Sequence, residues 1–339
     1  MHGLVWPRGV PLTPGVEWPS MSTFETVGRV ERFDSALDSL IPGDAVIELL
    51  EVGFAWSEGP VWVAGGEHLL FSDIPRNAII RWSERDGARI WMQPSGYTGV
   101  SYYGKEPGSN GLTLDSEGRL LACEHGDRRV SRLELGGGKT TIVDSYQGKR
   151  LNSPNDLVLR SNGDLYFTDP AYGLHRRYDD PSRELPFCGV FLVRAGEREA
   201  VLVSEELENP NGVAFDPEER YLYVTQSNPR RAVVMRYPLG SDGTLGPGEV
   251  LADLTDRTSD APGLPDGIKV DIAGNIFTTG PGGVWVMTAD GSVLGRVVTG
   301  LRIANLCWGG QGSTLYLCSD EYLCRIETST RGRMPGPPG

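Results

Sequence analysis

The sequence predicts an all-β fold, a six-bladed β-propeller, from an internal repeat, strand-like patterning and the length of each repeat. Six times a loop ending in Glu, Asn or Asp runs into an apolar strand pattern, and a second apolar strand follows most of these phrases. Consecutive phrases start 39 to 56 residues apart, which suits a blade of four short strands plus loops. We call the six polar residues the anchors: Glu58, Asn110, Asn155, Asn211, Asp266 and Asn305.

The strands are predicted from short β-branched and aromatic runs cut by Gly, Asn and Pro, as between Asp164 and Thr168. Helical repeats of this length would instead place apolar residues every three or four positions. Residues 45–52 form one more strand-like run ahead of the first anchor. We expect this run to complete the sheet begun by residues 322–326, because that closure leaves no open edge in the ring.

The repeat fills most of the chain, and no Ser/Gly-rich linker or block of charge divides its 339 residues. We therefore expect an N-terminal extension over 1–44, one propeller over 45–328 and a C-terminal tail over 329–339. The apolar spacing from Ser22 to Leu40 predicts an amphipathic helix that packs against the propeller. Residues 1–20 are rich in Pro and lack a periodic apolar face, so Met21 is an alternative translation start to Met1.

Charge and cysteine content limit the possible binding partners and the cellular compartment of the protein. The net charge of −13 and the pI of about 4.9 argue against nucleic acid or an anionic membrane, since both select clustered Lys and Arg. The five cysteines are odd in number and contain no Cys-x-x-Cys pair, so we expect reduced core residues. With no secretory signal and no apolar run long enough to span a bilayer, a cytoplasmic location is predicted. The sequence leaves the oligomeric state open.

The anchors are expected to converge, because the starts of the innermost strands of a propeller meet at one face of the central channel. Glu58, Asn155, Asn211 and Asp266 offer only oxygen donors with a total charge of −2, the ligand set that a hard divalent cation prefers. Ca²⁺ fits best, while Mn²⁺, Mg²⁺ or Zn²⁺ are alternatives. Asn-Gly and Asp-Gly also form hairpin turns, but their recurrence at equivalent points favours the metal site.

Four of these phrases resemble a known family: Glu58-Gly59-Pro60-Val61-Trp62, Ser153-Pro154-Asn155-Asp156, Asn209-Pro210-Asn211-Gly212 and Pro265-Asp266-Gly267. Over residues 45–328 the chain is similar to the gluconolactonase, regucalcin and luciferin-regenerating enzyme family, and most similar to its bacterial gluconolactonases. The resemblance implies a six-bladed propeller with a divalent metal on the axis, bound by Glu58, Asn155, Asn211 and Asp266. Animal members carry a substrate-binding Arg where this chain has Ser153, so its sugar contacts must come from elsewhere.

These features suggest metal-dependent hydrolysis of a sugar lactone, with the metal polarising the lactone carbonyl for attack by water. Asp266 is the first candidate for the proton acceptor, because the resemblance implies it and a ligating carboxylate can keep a free oxygen toward the water; His125 is the second. A Gly-x-Ser-x-Gly nucleophile motif is absent. Tyr103 lies in a Gly-rich loop, from Pro94 to Gly108, that we expect to cover the pocket. The residues expected to bind substrate are Tyr103, Asn110, Glu124, His125 and Asp169.

Two other functional classes stay open at this point. The first keeps the propeller and the metal but hydrolyses phosphotriesters, and a wide apolar pocket would favour it over one lined by Asn, His and Tyr. The second is a non-catalytic binding scaffold, a role for which propellers are often used. The natural lactone and the resident metal are not specified by any motif.

Overall fold

The computed structural model describes residues 24–337, which form a ring of six antiparallel sheets. We number the strands in chain order. Three strands precede the first blade: β1 (Glu25–Val27), β2 (Arg29–Arg32) and β3 (Ile47–Val52). The first blade contains β4 (Ser57–Val63), β5 (His68–Asp73), β6 (Ala78–Ser83) and β7 (Gly87–Met92). The second contains β8 (Ser109–Leu114), β9 (Leu120–Glu124), β10 (Arg129–Leu133) and β11 (Lys139–Val143).

A two-stranded hairpin, β12 (Ser145–Tyr146) and β13 (Lys149–Arg150), leads into the third blade. That blade contains β14 (Leu157–Leu159), β15 (Leu165–Asp169), β16 (Gly189–Val193) and β17 (Ala200–Ser204). The fourth contains β18 (Pro210–Phe215), β19 (Tyr221–Asn228), β20 (Arg231–Pro238) and β21 (Glu249–Asp253). The fifth contains β22 (Ile268–Val270), β23 (Ile276–Gly280), β24 (Gly283–Met287) and β25 (Val293–Val298).

The sixth blade closes the ring. It contains β26 (Asn305–Gly309), β27 (Thr314–Ser319) and β28 (Tyr322–Glu327), and β28 pairs with β3 from the start of the chain. In that antiparallel pair Ile326 faces Ile47 and Tyr322 faces Val52. The predicted six-bladed propeller and its closure are therefore confirmed. Four short 3-10 helices complete the described elements: Ser35–Ser39, Ala64–Gly66, Arg177–Asp179 and Thr255–Arg257.

The helix predicted over Ser22–Leu40 was wrong for the part of that range that the structure describes. Only the 3-10 helix Ser35–Ser39 is helical there; β1 pairs with β3, and β2 pairs with β25. The outer strands of blades five and six offer unpaired backbone groups, and an extended segment satisfies them where an isolated helix would not. Gly28 separates the two strands at φ +63°, a conformation that breaks a helix. The question of Met1 or Met21 concerns residues outside the described range.

Apolar faces of neighbouring blades pack against each other to form the core. Trp62 of the first blade stacks on Tyr316 of the sixth, with ring centroids 5.2 Å apart. Phe277 and Trp308 meet edge to face between the fifth and sixth blades, at 5.0 Å. All five cysteines are buried and free, as predicted. Burying each large side chain contributes about 1.5–3 kcal/mol, so the ring is held mainly by these contacts between blades.

The C-terminal residues pass beneath the fifth and sixth blades. The Ile272 amide donates to the Arg331 carbonyl at 2.8 Å, and the Thr330 hydroxyl donates to Oδ2 of Asp271 at 2.7 Å. Met334 then lines a cavity of about 780 Å³ at the far end of the inner strands, together with Leu114. That cavity lies at the opposite ends of the strands from the anchors. None of the helices within residues 24–337 has the length and apolar character needed to cross a membrane.

Candidate functional site

The six anchors lie where the innermost strands begin. Four of them are within the first two residues of a strand, and Asn155 and Asp266 precede β14 and β22 by two residues. The inner strands of successive blades contact each other around the ring. The predicted convergence of the anchor positions at one end of the channel is therefore what the fold produces.

A hydroxyl near the end of a second strand connects one blade to the anchor of the next. The Ser72 hydroxyl donates to the Asn110 carbonyl at 2.8 Å, and the Thr168 hydroxyl donates to the Asn211 carbonyl at 2.6 Å. Thr225 repeats the contact with the Asp266 carbonyl at 2.6 Å. These hydroxyls satisfy buried carbonyls and fix the register between blades.

The residue after each of these hydroxyls holds the loop that leads into its own anchor. Asp169 accepts hydrogen bonds from the Asn152 and Ser153 amides at 2.7 and 2.8 Å. Asp73 in the first blade and Gln226 in the fourth accept bonds from the equivalent amides. Burial raises the pKa of Asp169 to about 7, although both backbone bonds lower it. Asp169, which we expected to bind substrate, therefore already bonds to two backbone amides of the protein.

Glycine follows four anchors because neighbouring blades approach too closely there for any side chain. A Cβ at Gly212 would lie 2.2 Å from the Asp266 carbonyl oxygen, and one at Gly59 would lie 2.0 Å from the Asn110 carbonyl oxygen. Gly59 also has φ +53°. The Gly after Glu, Asn or Asp in the repeat therefore reflects packing at the centre of the ring.

Three anchor amides form a directional chain of hydrogen bonds. The Asn110 amide donates to Oδ1 of Asn155 at 2.8 Å, and the Asn155 amide donates to Oδ1 of Asn211 at 2.6 Å. Asn211 donates to the Ser227 hydroxyl at 2.8 Å, and that hydroxyl donates to the Pro265 carbonyl at 2.6 Å. The chain ends on the residue before Asp266, so it fixes the orientation of each amide along this side of the channel.

The two anchor carboxyls complete the circle. Glu58 accepts a hydrogen bond from the Asn305 amide at 3.0 Å and lies within hydrogen-bonding reach of Asp266. Burial and the nearby Asp156 charge raise the pKa of Glu58 to about 7. Burial and then Glu58 raise the pKa of Asp266 well above its ordinary value. Two adjacent buried carboxylates repel each other, and a bound cation would relieve that repulsion.

Asp156 was not singled out from the sequence, yet it lies beside this cluster. It stands in the third blade at the position that is Gly after four other anchors, and it is buried. Burial raises its pKa, whereas the Lys269 ammonium opposes that shift. Lys269 lies 3.5 Å from Oδ1 of Asn305. The break in the repeat, Asp where Gly is usual, was the signal available in the sequence.

The donor set fits a divalent cation. Within the described residues, Oδ1 of Asp266 and Oδ1 of Asn110 are buried and have no hydrogen-bond partner. Such orphaned oxygens are costly unless a cation or water binds them. Over residues 24–337, no three His, Cys, Asp or Glu side chains form a group that could hold a metal ion, so a cation site here needs amide oxygens. Oxygen-only coordination suits Ca²⁺, Mg²⁺ or Mn²⁺ better than Zn²⁺.

His125 borders the amide chain and is fully buried. Its Nε2 lies 3.3 Å from Nδ2 of Asn110, an atom that can only donate, so Nε2 accepts and Nδ1 carries the proton. Burial lowers the pKa of His125 to about 4, and the ring is neutral near pH 7. Nδ1 faces the Glu106 carboxylate, with 3.8 Å to Oε2. Glu106 is a second residue that the sequence analysis missed.

Tyr103 covers His125 from the predicted loop. Its hydroxyl donates to the His125 carbonyl at 3.0 Å, and its ring lies 4.8 Å from that of Tyr97. Tyr102 lies in the same loop, and its ring stands edge to face with that of His175, with ring centroids 5.9 Å apart. His175 lies in the loop between β15 and β16. A cavity of about 640 Å³ lies between the two loops, and these rings line it.

The side chain of Glu124 forms its hydrogen bonds within its own blade and not at the centre of the ring. Its carboxylate accepts hydrogen bonds from Arg129 at 2.6 Å, from Ser131 at 2.5 Å and from Lys139 at 2.7 Å. These residues belong to the outer strands β10 and β11 of the same blade. Glu124, expected to bind substrate, is thus engaged inside the second blade, whereas Asn110, His125 and Tyr103 remain together at the mouth.

Comparison with known proteins places the chain in a family. Residues 56–321 match the family described as the SMP-30/gluconolactonase/LRE-like region. The chain belongs to this family. The gluconolactonase of Zymomonas mobilis is 35% identical to this chain over 314 residues, which covers 91% of this chain and 88% of the relative.

Two further relatives are less similar in sequence. Pentonolactonase XacC of Haloferax volcanii is 27% identical over 274 residues, covering 78% of this chain and 81% of that protein. The solved structure of a gluconolactonase from Xanthomonas campestris is 27% identical, with a TM-score of 0.77 over 91% of this chain and 99% of that chain. The family resemblance inferred from the four sequence phrases is therefore confirmed.

Proposed function

We propose that this protein is a divalent-metal-dependent lactonase that hydrolyses a sugar lactone of the gluconolactone type. The observation that carries the proposal is the cluster of anchor side chains, in which two carboxyls and four amides meet and two oxygens lack partners. The lactonase names of its relatives in bacteria and archaea support the substrate class.

Glu58, Asn155, Asn211 and Asp266 are the proposed cation ligands. Their charge of −2 and their oxygen donors favour Ca²⁺, with Mn²⁺ or Mg²⁺ as substitutes. A cation bound there would supply electrophilic polarisation of the lactone carbonyl. Asn110 is proposed to stand outside this set, where its amide orients Asn155 and its free Oδ1 accepts a substrate hydroxyl.

A side chain of the protein must accept the proton of the attacking water. Asp266 is the proposed acceptor, because its Oδ1 has no partner among the described residues and the residue is only partly buried, whereas Glu58 is buried. His125 suits this role less well. Its burial lowers its pKa to about 4, and its Nε2 already accepts from Asn110. We assign His125 the role of holding Asn110 in orientation.

The mouth of the channel would hold the sugar ring. Tyr103 closes one side through its bond to the His125 carbonyl, and the neighbouring rings of Tyr97 and Tyr102 add flat surfaces that suit a polyhydroxylated ring. Glu124 and Asp169 are left out of the proposed contacts, since each already has charged or backbone partners. The cytoplasmic location predicted from the sequence is part of the same proposal.

The deciding experiment titrates CaCl₂ into chelated protein while acid release from D-glucono-δ-lactone is measured, with the uncatalysed rate subtracted. We expect a rate that depends on the cation, disappears with excess chelator and returns with Ca²⁺, Mn²⁺ or Mg²⁺. A parallel assay with a phosphotriester separates the other hydrolase class. No cation-dependent rate on either substrate would leave the binding scaffold as the function and reject this proposal.

A further inference from the structure

One carboxylate beside the anchors has no part in the proposed cation site. Glu106 lies on the loop from Pro94 to Gly108, and its Oε2 is 3.8 Å from Nδ1 of His125. Its Oε1 is 3.6 Å from Nη2 of Arg177, which lies in the loop between β15 and β16. The Glu106 side chain is 30% exposed, whereas that of His125 is fully buried. Glu106 therefore borders both the buried centre and the solvent.

Glu106 is next to His125, which borders the amide chain of the anchors. Because Nε2 of His125 accepts from Asn110, the proton lies on Nδ1, which has no hydrogen-bond partner among the described residues and is 3.8 Å from Oε2 of Glu106. The 3.8 Å separation is too long for a direct hydrogen bond, so the carboxyl is free to bond to another group. The negative charge of Glu106 also contributes to the raised pKa of Asp266, after burial and the nearer carboxyls.

Hydrolysis of a sugar lactone needs a proton donor as well as an acceptor. The ring oxygen leaves as the alkoxide of an ordinary alcohol, which is a poor leaving group unless it is protonated. We propose that Glu106 is the general acid that protonates the leaving ring oxygen. This inference rests on the proposed lactonase function and adds a catalytic residue to it.

The step balances with the residues already named. The water oxygen forms a bond to the carbonyl carbon, and its proton passes to Asp266. The bond from that carbon to the ring oxygen then breaks, and its electron pair stays on the oxygen, which takes the proton of the Glu106 carboxyl. The product is the open hydroxy acid. The proton on Asp266 returns to Glu106 through water at the exposed side, and both groups are reset.

The electrostatic surroundings of Glu106 support this role. Burial raises the pKa of its carboxyl, while Arg177 and Lys105 oppose the shift. Asp266 must be ionised to bind the proposed cation, whereas Glu106 is not one of the proposed ligands and can keep its proton. A carboxyl with a raised pKa keeps its proton to higher pH, which is what a general acid near neutrality requires.

The test compares two six-membered lactones whose leaving groups differ. D-glucono-δ-lactone releases an alcohol, whereas dihydrocoumarin releases a phenol that needs little protonation. We expect Glu106→Gln to lower kcat on gluconolactone by roughly 10²- to 10⁴-fold, the usual contribution of a general acid, and to lower kcat on dihydrocoumarin by less than about tenfold. Ca²⁺ affinity and thermal stability should stay unchanged. Glu117→Gln, on an exposed turn, is the matched control.

Equal losses on the two lactones, or no loss on either, would overturn the assignment. A second readout is the pH profile of kcat on gluconolactone, in which the wild type should lose rate at alkaline pH as Glu106 ionises and Glu106→Gln should not. An alkaline limb that persists in the variant also rejects the role. A wild type without cation-dependent lactonase activity rejects the proposed function instead, before the variant is made.

Discussion

The side-chain amide of Asn155 donates to Oδ1 of Asn211 at 2.6 Å, although the two residues lie 56 positions apart in different blades. This bond is the middle of a chain that runs from Asn110 to the Pro265 carbonyl and gives every amide a single orientation. An amide oxygen fixed in this way is preorganised as a ligand, because little side-chain freedom remains to be lost on binding.

The chain makes Asn110 a residue that supports the cation site without belonging to it. We expect Asn110→Leu, which keeps the volume but removes the amide, to weaken Ca²⁺ binding by about 10- to 100-fold, as loss of a supporting hydrogen bond does at other metal sites. Isothermal titration calorimetry on chelated protein measures this. Asn162→Ala, in a turn remote from the anchors, is the control. Unchanged affinity in Asn110→Leu would mean that Asn155 is oriented by other contacts.

The raised pKa of Glu58 predicts how the cation-free protein responds to pH. Between its ordinary value of 4.5 and about 7, Glu58 binds more protons in the folded state than in the unfolded state. The free energy of unfolding must therefore fall as pH rises through this window. A bound cation compensates the ionised carboxylates, so it should stabilise the protein more at pH 8 than at pH 5.

Thermal unfolding with chelator and with excess Ca²⁺ across this pH range measures the effect. The two curves should separate as pH rises. A cation effect that is constant from pH 5 to pH 8 would show that the two buried carboxyls do not titrate together with cation binding.

The glycines after the anchors predict a second kind of defect. A Cβ at Gly212 would press on the Asp266 carbonyl oxygen at 2.2 Å and displace an anchor of the next blade. We expect Gly212→Ala to lower the free energy of unfolding by about 1–3 kcal/mol, as overpacking does, and to weaken Ca²⁺ binding as well. Gly136→Ala places its Cβ in open space and should change neither. Urea unfolding of both variants measures the difference in their free energies of unfolding.

Removing the charge of Lys269 should have opposite effects on Ca²⁺ affinity and on the stability of the cation-free protein. Its ammonium lies 3.5 Å from Oδ1 of Asn305 and opposes the rise that burial causes in the pKa of Glu58 and of Asp156. Lys269→Met removes a positive charge that competes with a bound cation, so Ca²⁺ affinity should rise by roughly tenfold, equivalent to about 1.4 kcal/mol. The cation-free protein should lose about 1–3 kcal/mol, because Asp156 then lacks its counter-charge.

Calorimetry and urea unfolding, with Lys149→Met as an exposed control, measure both changes. A fall in Ca²⁺ affinity would contradict the electrostatic account. It would mean that Lys269 orients Asn305 and Glu58 more than it repels the cation.

The propeller and the anchors were predictable from the sequence because both follow from the internal repeat. Each blade begins with the same local pattern, and the closure by β3 follows from a spare strand-like run. The N-terminal helix failed because its spacing also suits edge strands, and only the unpaired edges of β3 and β25 decide the outcome. Local periodicity does not carry that information.

The polar details of the site depend on contacts between distant residues. Asp169 and Glu124 follow the same strand pattern, yet Asp169 holds a loop and Glu124 pairs with three residues of its own blade. Glu106 and Asp156 break or precede the repeat, so no recurring pattern points to them. Such assignments need the packing of one blade on the next, which the spacing of motifs leaves open.

Tyr103 offers a test of whether its loop belongs to the substrate site. The hydroxyl bonds to the His125 carbonyl at 3.0 Å, and the ring packs at 4.8 Å on Tyr97. Tyr103→Phe removes only the hydrogen bond, worth about 0.5–1.5 kcal/mol, and should raise KM for gluconolactone by up to about tenfold. Tyr103→Ala also removes the ring and should raise KM further, while kcat changes less. Because the acid and base proposed here are Glu106 and Asp266, an unchanged KM in Tyr103→Ala would place the loop outside the sugar-binding pocket without affecting the chemistry assigned to the centre.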